Sequence, residues 1–263
     1  MRAWAEAATH ALLDQLGLKG EPPINVVAIA HALGVEAIVT SDQFGDGRLE
    51  NDGQRRVIVV QRAAGAGRQR FTIAHELGHI YLRDRADASL PIQREEHFCD
   101  MFAESLLMPR WWVRRWRHAS DDLTVLRSFG EQSGVSLAAA LLRLRRVAGW
   151  TSTLLRWRLV AGEWRLDAVT GQPHALAEVR STSQTREVLW TLHSERHPDA
   201  AGRLSIGVGE REIVAPAQVS IGRRSAVALI DLSTVRIGRR DDRWIADLYR
   251  RLVDEGAVGQ DPP

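Results

Sequence analysis

Apolar positions recur at three- and four-residue intervals through most of the first 150 residues, and from residue 151 the period drops to two. Trp4, Ala8, Leu12, Leu13 and Leu16 share one helical face, and Gly17 and Gly20 stop that helix. Beyond Pro22 and Pro23 the pattern predicts a short helix over 26–33, ended by Gly34, and then a strand over 35–39. Gly45 and Gly47 mark a turn, and the β-branched run at 56–60 reads as a buried or edge strand. Two longer helices are predicted over 68–82 and 94–108, the second closed by Pro109.

Residues 111–150 read as helical throughout. Asp121 or Asp122 caps a helix whose apolar face carries Leu123, Leu126 and Phe129; residues 133–136 break it, and a second helix follows over 137–147. Helix, glycine-containing break, helix is the pattern of a helix-turn-helix. Strands are then predicted over 154–160, 164–169, 204–208 and 226–231, with one helix over 176–192. The expectation is an α+β chain in three parts, 1–110, 111–150 and 151–258, with a disordered tail at 259–263.

Composition narrows the class. The 263 residues are 44% hydrophobic and 26% charged, too apolar for a disordered chain and long enough to bury a core without disulfides. The single cysteine, Cys99, cannot form an intramolecular disulfide and points to a reducing compartment. No secretory h-region opens the chain, and no apolar run approaches the ~18 residues of a span. A cytoplasmic protein without membrane association is expected. The 35 basic residues, all arginine except Lys19, nearly balance 33 acidic ones, but unevenly. Residues 1–110 hold 12 basic and 15 acidic residues, residues 111–150 hold 7 and 3, and residues 151–263 hold 16 and 15. The positive excess sits in the middle segment.

One motif carries chemistry: His75-Glu76-Leu77-Gly78-His79, an H-E-x-x-H on a predicted helix. The four-residue step sets the two histidines ~40° apart around the axis and about 6 Å apart along it, so both imidazoles face one point. Glu76 is about 100° round the helix, able to address a water at a shared metal without binding the metal. A catalytic zinc takes three protein ligands and leaves a fourth position for water. A histidine six residues beyond the second would mark a metzincin, but Arg85 stands there.

The following helix offers Glu95, Glu96, His97, Asp100 and Glu104. Glu96 and Asp100 share a face, opposite much of the apolar set Phe98, Met101, Phe102 and Leu106. Glu96 is assigned as third ligand and Asp100 as the carboxylate that accepts from a ligand histidine's Nδ1–H and sets its tautomer. His97 is the alternative ligand, or a histidine on the substrate side. Tyr81 is a candidate transition-state contact, or packs. The strand at 56–61 is a candidate to pair with an extended substrate.

The segments RQRFTIAHELGH at 68–79 and E-x-x-CD-x-FA-x-x-LLMP at 96–109 resemble the ImmA/IrrE family of metallopeptidases, over about the first 110 residues. The resemblance implies a zincin-like N-terminal domain with one Zn2+, ligands His75, His79 and Glu96, and catalytic Glu76. The order of peptidase, helix-turn-helix-like segment and α+β domain is similar to the three-domain IrrE branch, whose third domain is GAF-like and here would sense a signal or bind a partner. The function implied is site-specific cleavage of a helix-turn-helix transcriptional repressor, switching on a stress-response or mobile-element regulon. The alternative is a DNA-binding or scaffold regulator with a structural zinc.

Two further features bear on that alternative. Trp111, Trp112 and Trp116 interleave with arginines over 110–117, to grip phosphates or to pack inward while the arginines reach solvent. Arg143, Arg145 and Arg146 on the second helix of the pair are candidate nucleic-acid contacts.

Overall fold

The computed structural model describes residues 1–18, 21–42, 47–51, 55–85, 90–171, 179–208 and 211–232. Lys19, Gly20, Gly45, the first residues of the helix expected over 176–192, and the tail at 259–263 lie outside them. The chain divides into two compact units, residues 1–119 with 126–148, and residues 120–125 with 149–263. The helices expected as a separate middle segment thus fall largely within the first unit.

The first unit opens with α1 (Arg2–Gln15), which buries Ala5, Ala8, Leu12 and Leu13, and α2 (Val26–Ala32), which Asn25 caps by accepting from the Ala28 N–H at 3.0 Å. A three-stranded sheet follows in the order β1 (Val35–Ser41), β3 (Arg56–Gln61), β2 (Gly47–Asn51). β1 runs parallel to β3 and β2 antiparallel to it. The run Ile58, Val59, Val60 is buried because β3 is the central strand. β2 goes unpredicted since Gly-Arg-Leu-Glu-Asn has one apolar side chain and no alternation; its place is at the sheet edge.

α3 (Ala66–Arg83) and α4 (Ile92–Leu107) pack side by side, burying Leu77 and Ile80 on one and Phe98, Cys99, Phe102, Leu106 and Leu107 on the other. α5 (Arg110–Val113) runs into a 3₁₀ turn at Arg114–Trp116, and α6 (Leu123–Ser133) and α7 (Leu137–Ala148) complete the helices. In the Trp-Arg stretch Trp112 and Trp116 pack inward, while Trp111 and the arginines at 114 and 115 stay exposed. Trp112 is buried and donates from Nε1 to Ser133 Oγ at 3.3 Å, and the Trp116 ring meets Phe129 edge-on at 5.4 Å. Gly134 turns the chain between α6 and α7 at φ +65°, and Arg70 donates to its carbonyl at 3.2 Å.

In the second unit a six-stranded sheet has the order β5 (Glu163–Thr170), β4 (Thr153–Val160), β9 (Ser225–Ile230), β8 (Arg211–Ile221), β7 (Asp199–Val208), β6 (Val179–Ser181), with every pairing antiparallel. α8 (Ser183–Ser194) lays Val188, Leu189 and Leu192 into a core with Leu155, Trp157, Trp164, Leu204 and Ile206. The helix starts later than periodicity suggests, because residues 179–181 pair with β7 and Thr182 then caps the helix by accepting from the Thr185 N–H. β8 goes unpredicted because Pro216 interrupts its pattern; Pro216 falls where the pairing with β9 ends. The two aspartates at 121 and 122 divide their work. Asp122 accepts from the Val125 N–H at 2.8 Å as the helix cap, whereas Asp121 accepts from the Thr151 and Ser152 N–H groups at 2.9 and 3.1 Å.

Candidate active site

Buried residues of α3 from Thr72 to Leu82 hold the H-E-x-x-H segment against the core, while His75 and His79 turn toward α4 with ring centroids 5.1 Å apart. His75 Nε2 lies 3.2 Å from one carboxylate oxygen of Glu96, and His79 Nε2 lies 3.4 Å from the other. One carboxylate therefore spans both inward-facing nitrogens. On the far side of each ring stands a different acid: His75 Nδ1 is 3.0 Å from Asp100 Oδ1, and His79 Nδ1 is 2.7 Å from Glu95 Oε1. Glu95 has no role in the sequence reading, because helical spacing alone does not say which side of a facing imidazole a neighbouring carboxylate reaches.

Glu76 is 7% exposed and accepts a hydrogen bond from the Leu49 backbone N–H. Burial pushes its carboxyl pKa above the usual range; His79 and His75 oppose that shift and Glu96 adds to it. Burial works to lower the His75 pKa, but the hydrogen bond it donates to Asp100 and the charges of Asp100, Glu76 and Glu96 outweigh it and hold the imidazole above its ordinary value.

Two imidazoles and a carboxylate facing one another are a donor set for a divalent metal with a coordination position left for water. His75, His79 and Cys99 also bring donor atoms within 4.8 Å of one another. Cys99 is fully buried, and burial together with Glu95, Glu96, Glu76 and Asp100 drives its thiol pKa upward, which disfavours the thiolate that a metal would need. The Glu96 carboxylate, 53% exposed and placed across both Nε2 atoms, is the stronger third donor.

His75, Glu76, His79, Glu96 and Asp100 line a cleft of about 890 Å³ within the first unit. Gly47, Arg48 and Leu49 of β2 border it, as do Ala139, Leu142 and Arg146 of α7. Several sequence-derived placements change here. β3 is flanked on both edges by β1 and β2, so the strand at 56–61 has no free edge for a substrate; β2 is the edge strand beside Glu76. Tyr81 does not border the cleft. Its ring packs on Phe102 at 5.3 Å and Phe98 at 6.4 Å, its hydroxyl accepts from Arg85, and the Arg85 guanidinium lies 4.2 Å from the ring centre.

His97 is exposed and lines the cleft, as does Met101, which leaves the apolar face expected of it. Arg143 is fully buried, donating to the Met108 carbonyl at 3.0 Å, to Glu6 at 3.1 Å and to Glu104 at 3.3 Å, so it is not available to a phosphate. Arg146 pairs with Glu104 at the cleft, and Arg145 is half-buried.

Residues 30–145 match the family model Peptidase_M78, the IrrE N-terminal-like domain. The likeness is to this segment, less than half of the 263 residues. The matched segment spans the three-stranded sheet, α3, α4, α6 and most of α7, so the helix pair read as a helix-turn-helix lies inside it. Among solved structures the chain is similar in fold to a Mycobacterium tuberculosis transcriptional regulator, at a TM-score of 0.50 and 16% identity, over 87% of this chain and 76% of that one. Comparison with curated proteins gives no match. No helix among the described residues is long and apolar enough to cross a membrane.

Proposed function

We propose that the chain is a zinc-dependent regulatory endopeptidase, with one Zn2+ held by His75 Nε2, His79 Nε2 and Glu96 and with Glu76 as general base. The observation that carries this reading is the Glu96 carboxylate facing both Nε2 atoms in the cleft that Glu76 also lines. A zinc ion in that position supplies a Lewis acid for the scissile carbonyl and lowers the pKa of a neighbouring water. Glu76 takes that water's proton at a carboxylate oxygen and passes it to the leaving amine; its burial and raised pKa suit both halves of the transfer. Among the described residues β2 pairs only with β3 and borders the cleft at Gly47, Arg48 and Leu49, so its outer edge is the candidate to receive an extended peptide by β-augmentation, beside the Leu49 N–H that Glu76 already holds.

The likeness to the ImmA/IrrE peptidases directs the reading to a helix-turn-helix transcriptional repressor as substrate, with its cleavage releasing a stress-response or mobile-element regulon. The test is incubation of the purified chain with a small helix-turn-helix repressor encoded beside it, with and without zinc. A single zinc-dependent cut supports the reading. An intact repressor alongside tight, zinc-dependent DNA binding by the chain favours a DNA-binding or scaffold regulator in its place.

A further inference from the structure

His79 is held from both ring nitrogens by two consecutive residues of α4. Glu95 reaches Nδ1 at 2.7 Å, and Glu96 stands 3.4 Å from Nε2. Adjacent helical residues point about 100° apart, so the imidazole is bracketed only because the ring is inserted between their directions. His75 has the corresponding outer partner in Asp100. The two outer carboxylates differ in setting: the Asp100 side chain is 59% exposed, and that of Glu95 is 25% exposed, so water competes less for the Glu95 bond. An imidazole donating Nδ1–H to a carboxylate has its tautomer decided and presents the Nε2 lone pair outward.

We propose that Glu95 is a positioning residue of the metal centre, fixing the His79 tautomer and ring orientation so that Nε2 is the metal-binding atom. The inference rests on the zinc reading given above, and adds a carboxylate whose loss weakens the site without removing a ligand. Outer partners of ligand histidines are worth roughly 10–100-fold in metal affinity.

The experiment measures zinc affinity of the full chain by competition with a chromophoric chelator. It also records the His79 tautomer in the metal-free chain by two-bond ¹H–¹⁵N spectra above the imidazole pKa. Glu95→Ala is expected to weaken zinc binding about 10–100-fold. Glu95→Gln, whose amide oxygen still accepts from Nδ1–H, is expected to recover most of that loss, and Glu36→Ala on β1 to match the unaltered chain. The unaltered chain should show the Nδ1–H tautomer at His79, and Glu95→Ala a mixture. Zinc affinity within twofold of the unaltered chain in Glu95→Ala, or an Nε2–H tautomer in the unaltered chain, overturns the inference and leaves the zinc reading standing. An unaltered chain that takes up no zinc overturns both. If Glu95→Ala fails to fold, the tautomer of the unaltered chain decides: Nδ1–H at His79 supports the inference and Nε2–H overturns it.

Discussion

Gly78 passes Cys99 so closely that a side chain there would be crowded. A methyl group on Gly78 would stand 3.0 Å from Cys99 Cα, 3.1 Å from Sγ and 3.2 Å from Cβ. This approach sets the distance between α3 and α4, and with it the reach of Glu95, Glu96 and Asp100 to the two imidazoles. Gly78→Ala is expected to cost about 1–3 kcal/mol by overpacking and to weaken metal binding as α4 moves off. Because backbone and Cβ of Cys99 are in the way as well as Sγ, Cys99→Ala added to Gly78→Ala should restore little. Thermal melts of the three variants decide; full recovery in the double variant would show that Sγ alone sets the spacing.

Glu76→Gln separates the base from the ligands. The amide keeps the shape and leaves His75, His79 and Glu96 in place, so zinc content should stay at one per chain while cleavage falls by about 10²–10⁴-fold. Undiminished cleavage in that variant would remove Glu76 from the mechanism, and loss of zinc would make it a ligand.

Acid and base act in opposite directions on the metal-free and metal-loaded chains. The His75 pKa is raised above its ordinary 6.5, so the stability it contributes is complete below that value and is lost as pH rises through the folded pKa. Glu76, raised above 4.5, acts with the same sign from that pH upward. Metal binding needs the neutral imidazoles, so zinc affinity grows with pH. Melting curves between about pH 5 and 8 should therefore show the zinc-induced rise in Tm increasing with pH, and this local contribution to metal-free stability declining. A zinc-induced shift that does not change with pH would mean that the imidazoles are not ligands. Chelation is expected to abolish cleavage and leave the chain folded; unfolding on chelation would mark a structural metal.

Arg143 on α7 is a structural cation rather than a nucleic-acid contact. Arg143→Ala leaves Glu6 and Glu104, both mostly buried, without their shared partner and should destabilise the first unit by about 3–5 kcal/mol. Any DNA affinity of the folded variant should be unchanged. A variant of native stability with reduced DNA binding would reverse this assignment.

The H-E-x-x-H spacing, the acids on the next helix and the alternation beyond residue 151 were legible in the amino-acid order because each is periodic within one element. That was enough for the α+β class, the two histidines, and Glu96 and Asp100 on one face of α4. What periodicity cannot express is which separate elements meet. Leu49 faces Glu76 because β3 takes the centre of the sheet and leaves β2 at the edge, and five residues with one apolar side chain announce neither. Tyr81 turns to the Phe98 and Phe102 rings, and Arg143 to Glu6 and Glu104, because each lies on the buried side of its helix, a fact fixed by the packing partner. Helical spacing set Glu96 on one face with Asp100 and gave the neighbouring Glu95 no role. Only the position of the His79 ring between Glu95 and Glu96 gives the first the outer nitrogen and the second the inner, since a pairwise contact across 16 residues belongs to the fold and not to the order of residues.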